Sequence, residues 1–170
     1  MFYPAFYIYT NMYKQVVGKE IDLAKISSDD VVLNIGCGAM PFTAVHVAQM
    51  TGAQVVAMDR DEEAVVKAKQ ALQKFQLDDN IEILLGDGSE EIPYYFDAAI
   101  VALQVGEKPG ILQNLKDAAR PGARLVFRQP SDKYQNEYGI LPDNIKVDKK
   151  VEQTMKTFDY SCLYQVPQWS

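Results

Sequence analysis

The sequence predicts an α/β fold, a mostly parallel seven-stranded sheet with an antiparallel C-terminal strand and helices on both faces. Three observations predict it. From residue 31 onward, apolar runs of strand length alternate with segments of helical periodicity. A glycine turn, Gly36-Cys37-Gly38, joins the first such run to a helix. Asp59 then closes the second run, at about the 20-residue distance at which a βαβ unit sets a carboxylate against a ribose hydroxyl. Turn and carboxylate together read as an adenosine-binding half-fold.

The first strand is Val31 to Ile35, and its helix runs from 41 to 51, with Phe42, Val45 and Ala48 on one side and Gly52 as the stop. The second strand is 53–58. The next helix opens with Asp61, Glu62 and Glu63 and closes near Lys74, which suits the helix dipole at both ends, and buries Val65, Ala68, Leu72 and Phe75. The third strand, Ile81 to Leu85, ends in Gly86-Asp87-Gly88, and the fourth, Ala98 to Leu103, follows a turn at Pro93 to Asp97. A helix over 109–119 carries Ile111, Leu112 and Leu115 inward, and Pro121-Gly122 turns the chain into a fifth strand, Arg124 to Arg128. Residues 130–143 read as a loop with a short helix, and Ile145 to Met155 and Tyr160 to Val166 as an antiparallel pair.

Residues 1–30 form an aromatic helix, a cap or lid of the same domain as 31–170. Phe2, Phe6, Tyr9, Tyr13, Val16 and Glu20 share one face at helical spacing. Tyr3, Tyr7, Ile8 and Met12 make the opposite side apolar too, so the helix is expected to cover the sheet with one face and a ligand or a partner, such as a second copy in a homodimer, with the other.

At 170 residues, 48% hydrophobic and 24% charged, the chain is one domain with a real core. A net charge of -6 argues against a nucleic-acid binder, which would need a basic face, and favours a small-molecule acceptor. Cys37 and Cys162 fit no metal spacing and are expected to be reduced. The greasy start lacks a basic segment and is interrupted by Thr10, Asn11 and Lys14, so it reads as neither signal peptide nor membrane helix, and a cytoplasmic location is expected. His46, the one histidine, is expected to be structural or at the surface, and no metal site is expected.

Pro41 stands where a dinucleotide fingerprint has its third glycine, which disfavours NAD, whose pyrophosphate needs a bare helix N-terminus. S-adenosylmethionine carries no phosphate and tolerates a proline in the first helical turn. Its sulfonium activates three carbons, and an amine acceptor must lose a proton near attack, which calls for a base. Tyr13 and Glu20 are the candidates. A buried ring with a hydrogen-bonded hydroxyl and a solvated helix residue are the alternatives for the two. Arg128 is placed to meet a carboxylate of cofactor or acceptor, or to stand exposed at its strand end.

The run Val31 to Ala44, Asp59, Gly86-Asp87-Gly88 and Phe96-Asp97-Ala98-Ala99-Ile100 fall in the order of class I S-adenosylmethionine-dependent methyltransferases, which the chain resembles over residues 30–130. The resemblance implies that Gly36 and Gly38 lie under the methionine and ribose, that Asp59 holds the ribose hydroxyls, and that Asp87 meets the adenine amine. It also places Arg60 beside the adenine and Leu103, at the end of the fourth strand, among the cofactor contacts. Asn34 stands where that family commonly has a carboxylate.

A narrower likeness is to nicotianamine synthases and related opine-metallophore enzymes, which transfer an aminobutyrate group from the same cofactor. It rests on Gly36-Cys37-Gly38-Ala39-Met40-Pro41-Phe42-Thr43-Ala44, on Val101 to Gly106, on Pro121 to Arg128, and on Asn11, Tyr13 and Glu20 upstream. The long helical region that precedes this block in those synthases has no counterpart among these residues, and Gln129-Pro130-Ser131 replaces their Ser-Ala-His-Gly run. The signature of nucleic-acid amino-methyltransferases is absent after the fourth strand, where Ala102-Leu103-Gln104-Val105 stands. The expected function is thus an S-adenosylmethionine-dependent transferase acting on a small amine-bearing metabolite, moving either methyl or aminobutyrate. The alternative is a non-catalytic S-adenosylmethionine-binding sensor or partner subunit.

Overall fold

The structure, a computed structural model, describes residues 4–168, with side chains from Thr10 onward. Phe2 and Tyr3 of the aromatic face lie outside the described residues, as do the side chains of Phe6, Tyr7, Ile8 and Tyr9. The elements in chain order are α1 (Pro4–Ala24), β1 (Val31–Ile35), α2 (Phe42–Thr51), β2 (Gln54–Asp59), α3 (Glu62–Lys74), β3 (Ile81–Leu85), β4 (Ala98–Val101), α4 (Lys108–Ala118) and β5 (Arg124–Pro130). A helical turn at Asp132–Tyr134, the short helix α5 (Gln135–Tyr138), β6 (Lys149–Glu152) and β7 (Phe158–Gln165) complete the chain. They form one seven-stranded sheet in the order β3-β2-β1-β4-β5-β7-β6. The first five strands pair in parallel, and β7 runs antiparallel to both β5 and β6.

Successive residues of a strand point to opposite faces, and the inner strands are apolar on both. Val32, Val55, Ala57, Ile100 and Val126 pack beneath α1, α2 and α3. Their neighbours Leu33, Val56, Met58, Val101, Leu125 and Phe127 pack against Ile111, Leu112 and Leu115 of α4. α2 differs from the expected one-sided helix: Thr43 to Ala48 are all buried, because α1 lies along the side that would otherwise meet water. His46 is accordingly buried and stacked on Phe42 rather than placed at the surface.

β4 and β6 are shorter than expected. β4 stops at Val101, because Ala102 closes the pairing through its N–H to the Ile35 carbonyl and Val105 turns back onto the Ala102 carbonyl. β6 is four residues long and exposes Lys149 and Lys150 at the sheet edge, a pattern that discourages edge pairing. Among the described residues no helix is long and apolar enough to cross a membrane.

At the opposite end of the sheet from the glycine turn, Asp97 staples three strands. Its Oδ2 accepts the Val31 N–H at 2.8 Å, its Oδ1 meets Arg120 at 3.1 Å and its carbonyl accepts the Arg124 N–H at 3.0 Å. Asp97→Ala leaves the Val31 N–H without its acceptor, and we expect it to cost about 1 to 3 kcal/mol in urea unfolding; a change below about 0.5 kcal/mol, the usual surface value, would contradict the staple.

Candidate functional site

β1 has β2 on one side and β4 on the other, so the chain diverges at its C-terminal end, where an open α/β sheet leaves a crevice. The glycine turn sits there. Gly36 and Cys37 donate to the Met58 carbonyl at 2.8 and 3.0 Å, and Gly36 holds φ at +79°. A Cβ on Gly36 would stand 2.4 Å from Val105 Cγ2, so the loop after β4 can close over the turn only because that residue is glycine.

The carboxylates at the ends of β2 and β3 are held by local backbone. Asp59 accepts the Gly38 N–H on Oδ2 at 2.9 Å and the Asp61 N–H on Oδ1 at 3.0 Å. Asp87 accepts both the N–H and the hydroxyl of Ser89 on Oδ1, which holds its carboxyl below the usual range. Asp59, Arg60, Asp87, Gly36 and Val105 line one cleft of about 180 Å³. Beneath the turn, Asn34 donates to the Ile100 carbonyl while its Oδ1 is buried with no partner among the described residues.

A second cavity, of about 230 Å³, opens on the α1 side of the same turn and includes Tyr13, Gly38, Thr43, Gln104 and Arg128 in its wall. Gly36 and Gln104 line both spaces. Tyr13 stacks on Phe42 with ring centroids 5.6 Å apart. Arg128 is 4% exposed and passes its guanidinium between Tyr13 and Phe158, 5.9 and 5.5 Å from the ring centres. Burial disfavours its charge, and Glu20 more than restores it, so its pKa lies above the ordinary value. Cys37 borders this cavity as a neutral thiol, pushed up to about 12 by burial and by Asp59.

The structure therefore gathers Gly36, Asp59, Arg60 and Asp87 in one cleft and Gly36, Gly38 and Tyr13 around the adjoining cavity. It moves two expected residues elsewhere. Leu103 lines neither space, because the turn after Val101 packs its side chain with Val16 and Phe158. Glu20 is fully buried rather than solvated and lines neither space. It accepts Arg128 Nε at 3.2 Å and Nη2 at 2.8 Å, and Ser161 Oγ at 2.8 Å. Arg128 is correspondingly an interior residue and not an exposed strand end.

Lys108 escaped sequence reasoning. Its Nζ donates to the carbonyls of Leu103 at 2.8 Å, Val105 at 2.9 Å and Tyr138, which ties the loop after β4 to the segment after β5. Burial pushes it down to about 8. Nothing in the sequence flags it, since all three partners are main-chain atoms. Glu20 left a signal, a carboxylate in line with Tyr13 and Val16 on an inward helix face, which requires a buried partner.

Fold and cleft together define a member of the class I S-adenosylmethionine-dependent methyltransferase superfamily. A family model described as a methyltransferase domain matches residues 26–169, and the chain belongs to that family. Among curated proteins it is 34% identical over 107 residues to a probable cobalt-precorrin-6B C(15)-methyltransferase (decarboxylating) of Methanothermobacter thermautotrophicus, covering 61% of this chain and 54% of that one. It is 31% identical over 121 residues to an L-histidine 2-aminobutanoyltransferase of Yersinia pestis, covering 71% and 45%. The chain thus spans about half the length of these relatives. Among solved structures, a variant of MtNAS in complex with S-adenosylmethionine superposes with a TM-score of 0.82 at 19% identity over 96% of this chain and 65% of that one. An RNA methyltransferase from Salinibacter ruber in complex with S-adenosyl-L-homocysteine gives 0.72 at 20% identity over 92% and 94%. Both likenesses are of fold.

The Glu20 and Arg128 pair yields a direct prediction. Glu20→Ala strands a buried guanidinium, and we expect a loss of about 3 to 5 kcal/mol in denaturant unfolding. A loss under about 1 kcal/mol, the value for an exposed pair, would show that water reaches the charge.

Proposed function

We propose that the chain is an S-adenosylmethionine-dependent transferase acting on a small amine-bearing metabolite. The observation that carries this is the pair of spaces meeting at Gly36 and Gln104, one bordered by Asp59, Arg60 and Asp87 and the other by Tyr13 and Arg128. The residues fit the cofactor. Each oxygen of Asp59 takes a single backbone N–H and keeps a lone pair for a ribose hydroxyl. Oδ2 of Asp87 takes no hydrogen bond from the described residues, which leaves it for the adenine amine, with Arg60 alongside. Gly36 and Gly38 border the cavity assigned to the amino-acid end.

When bound, the sulfonium supplies three electrophilic carbons, of which the protein exposes one to the acceptor. Tyr13 is assigned as the group that takes the acceptor's proton, and its ring, close to the turn, suits a cationic neighbour. Glu20 is assigned as a positioning residue that fixes Arg128. Relatives of both kinds, methyltransferases and an aminobutanoyltransferase, support a choice between methyl and aminobutyrate transfer. Self-association through α1, whose Met12 is 41% exposed, and a cytoplasmic location belong to the same proposal; nucleic acid is not among the partners proposed.

Mass spectrometry after incubation with S-adenosylmethionine and a pool of small amines and amino acids tests this. Methylthioadenosine above a no-enzyme control means aminobutyrate transfer, S-adenosylhomocysteine means methyl transfer, and neither would overturn the proposal. Asp59→Ala is expected to weaken nucleoside binding by about 1 to 3 kcal/mol in calorimetry; unchanged affinity would remove Asp59 from the site.

A further inference from the structure

We propose that the cavity between the β5–β7 surface and the segment 139–147 is a binding site for a small neutral ring compound that carries a carbonyl oxygen. It lies on the α4 side of the sheet, whereas the cavity beside Tyr13 lies on the α1 side, and it does not rest on the transferase reading. Arg128 borders both spaces, but its guanidinium turns to Glu20 and Thr43, on the opposite face.

The space follows from how the chain leaves β5. Leu125 and Phe127 stand opposite Tyr164 and Cys162 of β7, so these four share one face of the sheet. α4 packs against that face through Ile111, Leu112 and Leu115. Beyond β5 the chain supplies no comparable helix: α5 has four residues, Gly139 turns away at φ +68°, and regular structure resumes at Lys149. The segment between is tied at its ends, where the Tyr138 carbonyl accepts Lys108 Nζ and the Asp148 N–H donates to the Leu163 carbonyl at 2.9 Å. It encloses about 320 Å³. Protein interiors leave few voids larger than a water molecule, whereas small-ligand sites begin at about 300 Å³.

One polar group faces this space without a partner. Tyr164 is 5% exposed and lines the cavity. Its ring meets Phe127 edge-on, with centroids 5.8 Å apart, and its hydroxyl makes no hydrogen bond to the described residues. Nor is the hydroxyl sealed in, since the enclosed side-chain atoms without a partner among the described residues are Asn34 Oδ1 and His46 Nε2. At the rim, Ile140 and Val147 are 41% and 37% exposed, apolar side chains left without cover.

Charge and polarity select the ligand. Burial pushes Tyr164 up to about 12 and raises the Cys162 thiol as well, so both keep their protons. Lys108 also borders the cavity, but its three ammonium protons are taken by the carbonyls of Leu103, Val105 and Tyr138. An anion would therefore lose its water with no free cation to meet it, and an ammonium would find only Asp143, which is exposed. A carbonyl oxygen takes the Tyr164 proton without bringing a charge, and an apolar ring suits Phe127, Leu141 and Ile145.

Titrations followed by NMR on the methyl signals of Ile140 and Ile145 test this. Acetophenone is expected to shift both saturably, binding about threefold more tightly than ethylbenzene and about tenfold more tightly than benzoate or benzylamine. Tyr164→Phe, which keeps the ring, is expected to bring acetophenone down to the affinity of ethylbenzene. Val147→Trp, which narrows the cavity from its rim, is expected to weaken both about tenfold, with the Ile100 methyl signal of the sheet unchanged in either variant. If no probe shifts Ile140 and Ile145 in the wild-type protein, or a charged probe binds as tightly as acetophenone, the site is refuted. A preference for acetophenone that survives in Tyr164→Phe overturns it too.

Discussion

The two-pronged contact between Glu20 and Arg128 is the constraint on which the site depends. Both groups are withdrawn from water, so neither tolerates loss of the other, and each is held again from outside the pair: Glu20 by Ser161 of β7, Arg128 by Thr43 of α2. One ion pair thereby joins α1, α2, β5 and β7 at a single point above the C-terminal ends of the strands. A buried pair of this kind adds little net stability over apolar packing of the same volume. What it does supply is direction, since bidentate hydrogen bonds fix both the helix and the plane of the guanidinium. With α1 fixed, Tyr13 and Phe42 stack, and the cavity beside the glycine turn has a defined wall.

The other half of the site needs no such long-range tie. Asp59 is fixed by N–H groups of Gly38 and Asp61, Asp87 by Ser89, and the turn itself by the Met58 carbonyl. These are contacts along the edge of parallel strands whose register is set by burial on both faces, so the cleft lined by Asp59 and Asp87 follows once the sheet forms. Lys108 ties the loop after β4 to the end of α5, with one ammonium on the carbonyls of Leu103, Val105 and Tyr138.

This division explains what could be read from the residues. β1 and β3 begin and end where the apolar runs and the flanking Gly and Asp residues place them, and Gly36, Asp59 and Asp87 are assembled as their spacing implies. Local signals suffice for local geometry. β4 falls short of its apolar run because a turn closed by Ile35 and Ala102 overrides the pattern at Leu103. The all-round burial of α2 and the interior place of Glu20 depend on contacts across the chain. The two members of the ion pair are 108 positions apart, and no window of sequence contains both. Helical spacing aligns Glu20 with Tyr13 and Val16 on one face without showing that the carboxylate is buried, and the strand pattern that ends in Arg128 gives no sign of which face it buries.

Native-state hydrogen exchange on α1 tests the central role of the ion pair most directly. In the wild-type protein the amides of Val16, Val17 and Glu20 should exchange only by global unfolding, at the free energy shown by the core of β1 and β4. In Glu20→Gln those amides should open at a lower free energy while the sheet keeps its protection. Early exchange of α1 in the wild-type protein, or equal protection in both, would contradict the account and leave the helix held by apolar packing alone.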